Sequence, residues 1–400
     1  MYKSIDFKSE STKDWMNEHS SICQLPTQPI AYHPKRLNLF SIQGEKMVES
    51  LTRIGPLISK DFSKLISVDE QREIATETFE SLKGTKFDKP GKKGNLGYFR
   101  TKRTFNSLVP MEYKRTPLAP RLTSKGNSFH GMNKALLIKI VQKLTEKNQQ
   151  MLVLELDMSA CHSRVASSLL PPNSELNKAL TKSNFWELQV KNFLPLYVNE
   201  GIEMNFKMLK RILKVFLYTS LNGGNPASEE RLTDNLTGNA MDLLPKSHLT
   251  QSKIFRITKR IAEDFKLVIE VKDLNKQCYT MGLNKGYTFT VDRFHPYVND
   301  QVYKGISRVL QGFEVCLLSI LTLNVMQRGF IPLSLDHDGL MAFILLEEKE
   351  KDDKESMSKR IKELELQLSE SMSEWSNYLI KAPLPIETKR HWFRGGVVEY

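Results

Sequence analysis

Residues 151–170 read "MLVLELDMSACHSRVASSLL", and how this stretch is read decides the fold. Met151, Leu152, Val153 and Leu154 open an apolar strand, and from Cys161 onward the pattern continues as a helix. One acid, Asp157, stands at the join. A carboxylate delivered to the end of a buried strand is costly unless it is paired, hydrogen-bonded or metal-bound. The plainest partner is a following helix, for which an Asp serves as N-cap.

A second acid is presented in a similar way. "FIPLSLDHDGLMAFILLEE" (330–348) is apolar, then a tight D-H-D-G, then apolar again, which is the signature of a hairpin with Asp338 near its tip. D-G alone requires no function, because it favours the positive φ of a type I′ turn. Two acids at the ends of buried strands can also share a pair of divalent cations that clamp a phosphate between them. Between the acids lies "NFKMLKRILKVFLYTSLNGGN" (205–225). Lys210, Lys214, Tyr218 and Asn222 recur at spacing four and share one face of a single helix. That face offers cations to a triphosphate and a ring to a base or sugar; the alternative is a solvated lysine face. The helix ends at Gly223 and Gly224.

The chain has 400 residues, enough for two or three subdomains around a large core, and 40% of them are apolar. Its net charge of +12 favours a polyanionic partner, nucleic acid or an acidic membrane surface. The stretch "KGTKFDKPGKKGNLGYFRTKRTF" (83–105) sets Lys92, Lys93, Arg100, Lys102 and Arg103 among Phe87, Tyr98 and Phe99, a composition suited to a phosphate backbone with rings against sugars or bases. Cys23, Cys161, Cys278 and Cys316 form no C-x-x-C pair, so neither a disulfide framework nor a zinc knuckle is expected. The amino terminus lacks an apolar h-region and no apolar run approaches a membrane span, so the expectation is a soluble intracellular protein, cytoplasmic or organellar, without a membrane partner.

The amphipathic stretches in 1–82 predict helices, as does "GMNKALLIKIVQKLTEKN" (131–148). Helical patterns dominate 160–272, broken at "LLPPNSE" and "LNGGNP". "GLNKGYTFTVDRFHPYVND" reads as turn-rich and precedes a long apolar helix over about 302–326. The charged segment 347–378 reads as a surface helix, because Ile361, Leu364, Leu366 and Leu368 supply only part of a seam. "APLPIETKRHWFRGG" reads as an edge strand and tail.

Order and local wording together carry a resemblance. "LDMSACHSRVA" resembles motif A of the family A DNA polymerases, the bacterial polymerase I type, with Asp157, Ser159, Arg164 and Ala166 in place. "KRILKVFLYTSLNGG" resembles their motif B, and "LSLDHDGLMAFI" their His-Asp motif C hairpin. The resemblance covers about residues 120–400, and the tail is similar to the family's terminal strand. It implies an α+β right-hand polymerase with an antiparallel palm sheet, helical fingers and a reduced, mostly helical thumb. The corresponding division is 1–120 as an N-terminal helical and basic thumb-like region, 121–190 as the first part of the palm, 191–300 as fingers, and 301–400 as the second part of the palm.

The resemblance further implies two magnesium ions held by Asp157, Asp338 and the backbone carbonyl of Met158. Lys214 would bind the nucleotide phosphates and help protonate the pyrophosphate. Lys210 would neutralise charge beside it, and Tyr218 would stack on the incoming nucleotide. His162, Arg164 and Asn222 would complete the nucleotide site. His337 would contact the primer end, and Gln311, in a Gln-Gly preceding motif C, the template and primer minor groove. The basic residues of 83–105 would grip duplex backbone. The partners implied are a DNA primer-template, nucleoside triphosphates and accessory replication proteins, with the chain itself a monomer.

Three departures bear on function. His162 stands where motif A carries a Glu that helps exclude the ribose 2′-hydroxyl, Asn222 replaces the ring that covers the template base, and Gly339 replaces the second motif C acid. They keep a primase or single-subunit RNA polymerase on the same scaffold open, beside a non-catalytic nucleic-acid-binding protein whose acids are turn and cap residues. The first 120 residues are too short for a proofreading exonuclease and show no Asp-x-Glu after an apolar strand.

Overall fold

The computed structural model describes residues 10–24, 36–85, 107–116, 119–124, 128–130, 132, 134–167, 182, 184–221, 252–257, 278–283, 287–292, 302–346, 354–380 and 382–400. Helices and antiparallel sheets are mixed along the chain, as an α+β fold requires.

The core is built on the opening stretch. β3 (Met151–Met158) is buried along nearly its whole length and is the central strand of a five-stranded sheet. The order is β6 (Ile331–Leu335), β7 (Gly339–Leu345), β3, β8 (Ile386–Phe393) and β9 (Gly396–Glu399), with every neighbouring pair antiparallel. Glu155 is tolerated in this strand because Arg390 lies opposite it on β8 and bonds its carboxylate. The long apolar helix α8 (Val302–Gln327) and the N-terminal α2 (Arg36–Leu65) pack on each other and on the hairpin side of the sheet, where the Phe62 and Phe343 rings meet edge to face at 5.7 Å. α4 (Lys134–Lys147) and α9 (Lys354–Leu379) also pack on the sheet. The other N-terminal helices, α1 (Glu10–Ile22) and α3 (Val68–Leu82), pack against α2 and α4 respectively. α3 begins at a capping box in which Ser67 and Glu70 bond each other's backbone N–H.

Four expectations are corrected. The tail is an interior strand, not an edge: β8 lies between β3 and β9, and β9 is the edge. Its one-sided partner β9 comes from the last few residues, too short to announce itself. α9 is a surface helix, but its buried seam is full rather than partial. Met357, Ile361, Leu364, Leu368, Met372 and Trp375 are buried at spacings of three and four, while Leu366 faces water. Methionine and tryptophan complete the seam that leucine and isoleucine only began. The stretch read as turn-rich (282–300) takes in the end of one strand and the whole of another: β4 (Cys278–Leu283) pairs with β5 (Tyr287–Asp292) as a hairpin. Finally, Leu310–Gln327 in α8 is by length and composition long and apolar enough to cross a membrane; 78% of it is buried inside the fold, as a core helix must be.

The turn at Asp338 also differs from the expected type. Leu335 pairs with Leu340 across a four-residue loop, and the Asp336 N–H donates to the Gly339 carbonyl at 2.9 Å. Gly339 is not among the described glycines with positive φ. What demands glycine is proximity: a Cβ there would stand 2.1 Å from the Leu156 carbonyl oxygen. A side chain at 339 would force β7 and β3 to shift apart.

Candidate active site

The site forms where β3 ends against the β6–β7 hairpin. Asp157 pairs with Gly339, and one residue further the Met158 N–H donates to the Asp338 carbonyl at 2.7 Å. The backbone ladder therefore sets the two acids next to each other at one end of the sheet. Asp157 is 8% exposed, and its pKa is pushed up to about 7, first by burial and next by the charge of Asp338. A site that holds two acids under these conditions calls for positive charge.

The strand-to-helix join that carries Asp157 is sharp. Ala160 has φ +52°, a left-handed conformation unusual for a residue with a Cβ. Arg164, on α5 (Cys161–Ser167), holds this turn: its Nε donates to the Ser159 carbonyl at 2.8 Å, and its two terminal nitrogens to Pro383 and Lys182 carbonyls at 3.0 and 2.9 Å. This completely buried guanidinium clamps three backbone segments together. Its placement is that of a scaffold residue rather than the nucleotide ligand the resemblance implied, since its donors are directed at protein carbonyls.

Positive charge comes from two elements. α7 (Phe206–Leu221) brings Lys214 and Tyr218 to the acids, and the Lys214 ammonium lies 5.6 Å from the Tyr218 ring centroid. Burial and the neighbouring Lys389 lower the Lys214 pKa, against the pull of Asp157 and Asp338. Lys210 lies one turn earlier on the same helix, close enough for its charge to lower Lys214 further. Lys389, on β8, bonds Asp157 directly, Nζ to Oδ1 at 2.6 Å.

Tyr218 stands in an aromatic wall, its ring 5.8 Å from His162 and 6.1 Å from Trp186 on α6 (Phe185–Val198). Behind His162 is a buried ion cluster. Glu314 on α8 is 1% exposed; it accepts from Arg121 Nε at 2.9 Å and lies 3.1 Å from His162 Nε2. Burial works against the Glu314 charge, but His162 and Arg121 outweigh it and hold its pKa below the ordinary carboxylate value. Arg121 comes from β2 (Ala119–Ser124), paired with β1 (Tyr113–Thr116), so the cluster ties that hairpin to α8 and α5. The exposed His337 ring stands edge-on to His130 at 6.0 Å. His130 also approaches Asp336 at 3.6 Å. Gln311 is half-buried on α8, one turn before Glu314.

Asn222, Lys92, Lys93, Arg100, Lys102 and Arg103 lie outside the described residues. Glu314, Arg121 and Lys389 were missed by sequence reading. For Glu314 a signal existed, an acid inside the apolar run "GFEVCLL". For Lys389 there was none, because its approach to Asp157 depends on strand register.

Among the described residues, no group of three or more His, Cys, Asp or Glu side chains is placed to hold a metal ion. The donor set at the acids is two carboxylates and backbone oxygen. That suits a hard cation such as magnesium, which retains several waters and takes only one or two carboxylates. The Lys389 ammonium on Asp157 is a protein-supplied cation at the same oxygen.

No family model matches this chain. No curated protein matches it either. Among solved structures, the POL domain of Pol1 from M. smegmatis, in complex with DNA primer-template and dNTP, is similar over 97% of this chain and 69% of that one, with 13% identity. The TM-score of 0.39 is too low to establish a shared fold.

Proposed function

We propose that the chain is a template-directed DNA polymerase of the family A type, extending a primer 3′-end with deoxynucleotides. The observation that carries this reading is the convergence at one sheet end of Asp157, Asp338 and Lys214, each from a different one of the three motifs. Asp157 and Asp338, with the Met158 carbonyl, would hold two magnesium ions, which supply activation of the primer hydroxyl and charge neutralisation on the triphosphate. Lys214 and Lys210 present ammonium groups to phosphates, and burial against Tyr218 lets Lys214 act in a low-dielectric setting where its charge counts most. The Tyr218, His162 and Trp186 rings form the wall against which a base or sugar would rest. In this layout the five-stranded sheet is the palm, α7 belongs to the fingers, and the N-terminal helices with the basic 83–105 stretch hold duplex.

Primer-template extension with magnesium is the test, run with deoxynucleotides and with ribonucleotides, with and without primer. The expected result is primer-dependent deoxynucleotide addition that Asp157→Asn or Asp338→Asn abolishes while duplex binding persists. His162, standing where a carboxylate would screen the sugar, favours one rival, a primase or RNA polymerase; efficient ribonucleotide use with deoxynucleotide failure selects it. Undiminished synthesis in both Asn variants overturns the two-acid assignment.

A further inference from the structure

Lys389 occupies an irregular place in the sheet. Across β3 and β8, Leu156 pairs with Thr388 but Glu155 pairs with Arg390, so Lys389 is the extra residue of a β-bulge. A bulge leaves one residue unpaired and re-aims its side chain. Here it is aimed at the site: the ammonium reaches Asp157 Oδ1 at 2.6 Å while its side chain stays 39% exposed, against 12% for that of Asp157. The ammonium thus sits on the more buried acid while the Lys389 side chain stays partly open to solvent.

We propose that Lys389 is the resident counter-cation of the two-acid site, and that it yields Asp157 to a divalent cation and takes up a phosphate oxygen of the nucleotide. This rests on the two-acid reading above. Among the described residues, the charges that act on Asp157 are the Asp338 carboxylate and two ammonium groups, Lys389 and Lys214. A divalent cation needs the same Asp157 oxygen that Lys389 bonds, and its charge repels the ammonium. The lysine stem is flexible, so the ammonium can move outward while its backbone stays in the bulge. The anions nearest the mouth of the cleft are then substrate phosphates, and Lys214 meets them from the α7 side. Two lysines on separate elements would grip one phosphate chain.

The experiment measures manganese alone binding to the full chain by paramagnetic resonance, and the KM for deoxynucleotide in primer extension. Lys389→Met should bind manganese about tenfold tighter, because a competing charge is gone from the ligand oxygen, and should raise KM by about tenfold. Lys389→Arg should restore KM to within about threefold of the native value. Lys389→Gln gives the same readings as Lys389→Met if the latter does not fold. A purely structural ion pair predicts the opposite sign for the metal: equal or weaker manganese binding with a loosened Asp157 overturns the proposal, as does an unchanged KM. If manganese binding to the native chain is the same in Asp157→Asn, the two-acid reading itself has failed and the proposal with it.

Discussion

The charges at the site are buried or half-buried, and Asp157 and Glu314 each have named partners. Glu314 is the sharpest case. It is an anion deep in α8 that survives burial only because Arg121 and His162 both lean on it. Removing the charge while keeping the shape leaves two cationic or polar groups facing an uncharged amide in a desolvated place. Glu314→Gln should therefore destabilise the protein by about 2–4 kcal/mol, read as a lower urea midpoint with an unchanged slope. The same variant should disturb the Tyr218 wall, since His162 is the link between Glu314 and that ring. Asp157 was visible from the sequence as a costly acid at a strand end; its partner Lys389 was not. Arg164 shows the reverse, a residue picked out by its motif position whose donors bond backbone carbonyls of three separate segments.

Among the elements, the β6–β7 hairpin depends on its glycine and the helix α8 does not. Gly339 permits the close approach of β7 to β3, so Gly339→Ala must push a Cβ into the Leu156 carbonyl or spread the two central strands. We expect it to cost about 2–4 kcal/mol in thermal unfolding. Gly312, inside α8, has open space around its missing Cβ, and Gly312→Ala is the control, expected to be neutral or stabilising by up to about 1 kcal/mol. Long, strongly periodic elements were legible: α4, α8, β3 and the late hairpin lie where their patterns predict. α9 was legible as a surface helix but not as one with a full buried seam, because half of that seam is Met and Trp.

At the level of the molecule, the C-terminal strands complete the core that the middle of the chain begins. β8 supplies the second ladder of β3 and the Lys389 bulge, and the segment leading into it supplies the Pro383 carbonyl that Arg164 holds. A chain ending at Leu379 would leave β3 as an edge with a row of unpaired N–H and C=O groups. Such a truncation should lose cooperative unfolding in calorimetry and its near-ultraviolet dichroism, rather than merely melt a few degrees lower.

Local sequence determined the period of each long element, the acid at the end of β3, the acid at the hairpin tip and the lysine face of α7, because these are set by residue type and spacing within a few turns. Only the tertiary structure decided that β8 lies inside the sheet, that a bulge turns Lys389 onto Asp157, that Glu314 is the hub for Arg121 and His162, and that Gly339 is required by contact rather than by turn geometry. Each of those depends on register and on approach between segments far apart in the chain. Pairing of that kind is fixed by the fit of whole surfaces and leaves no local pattern to read.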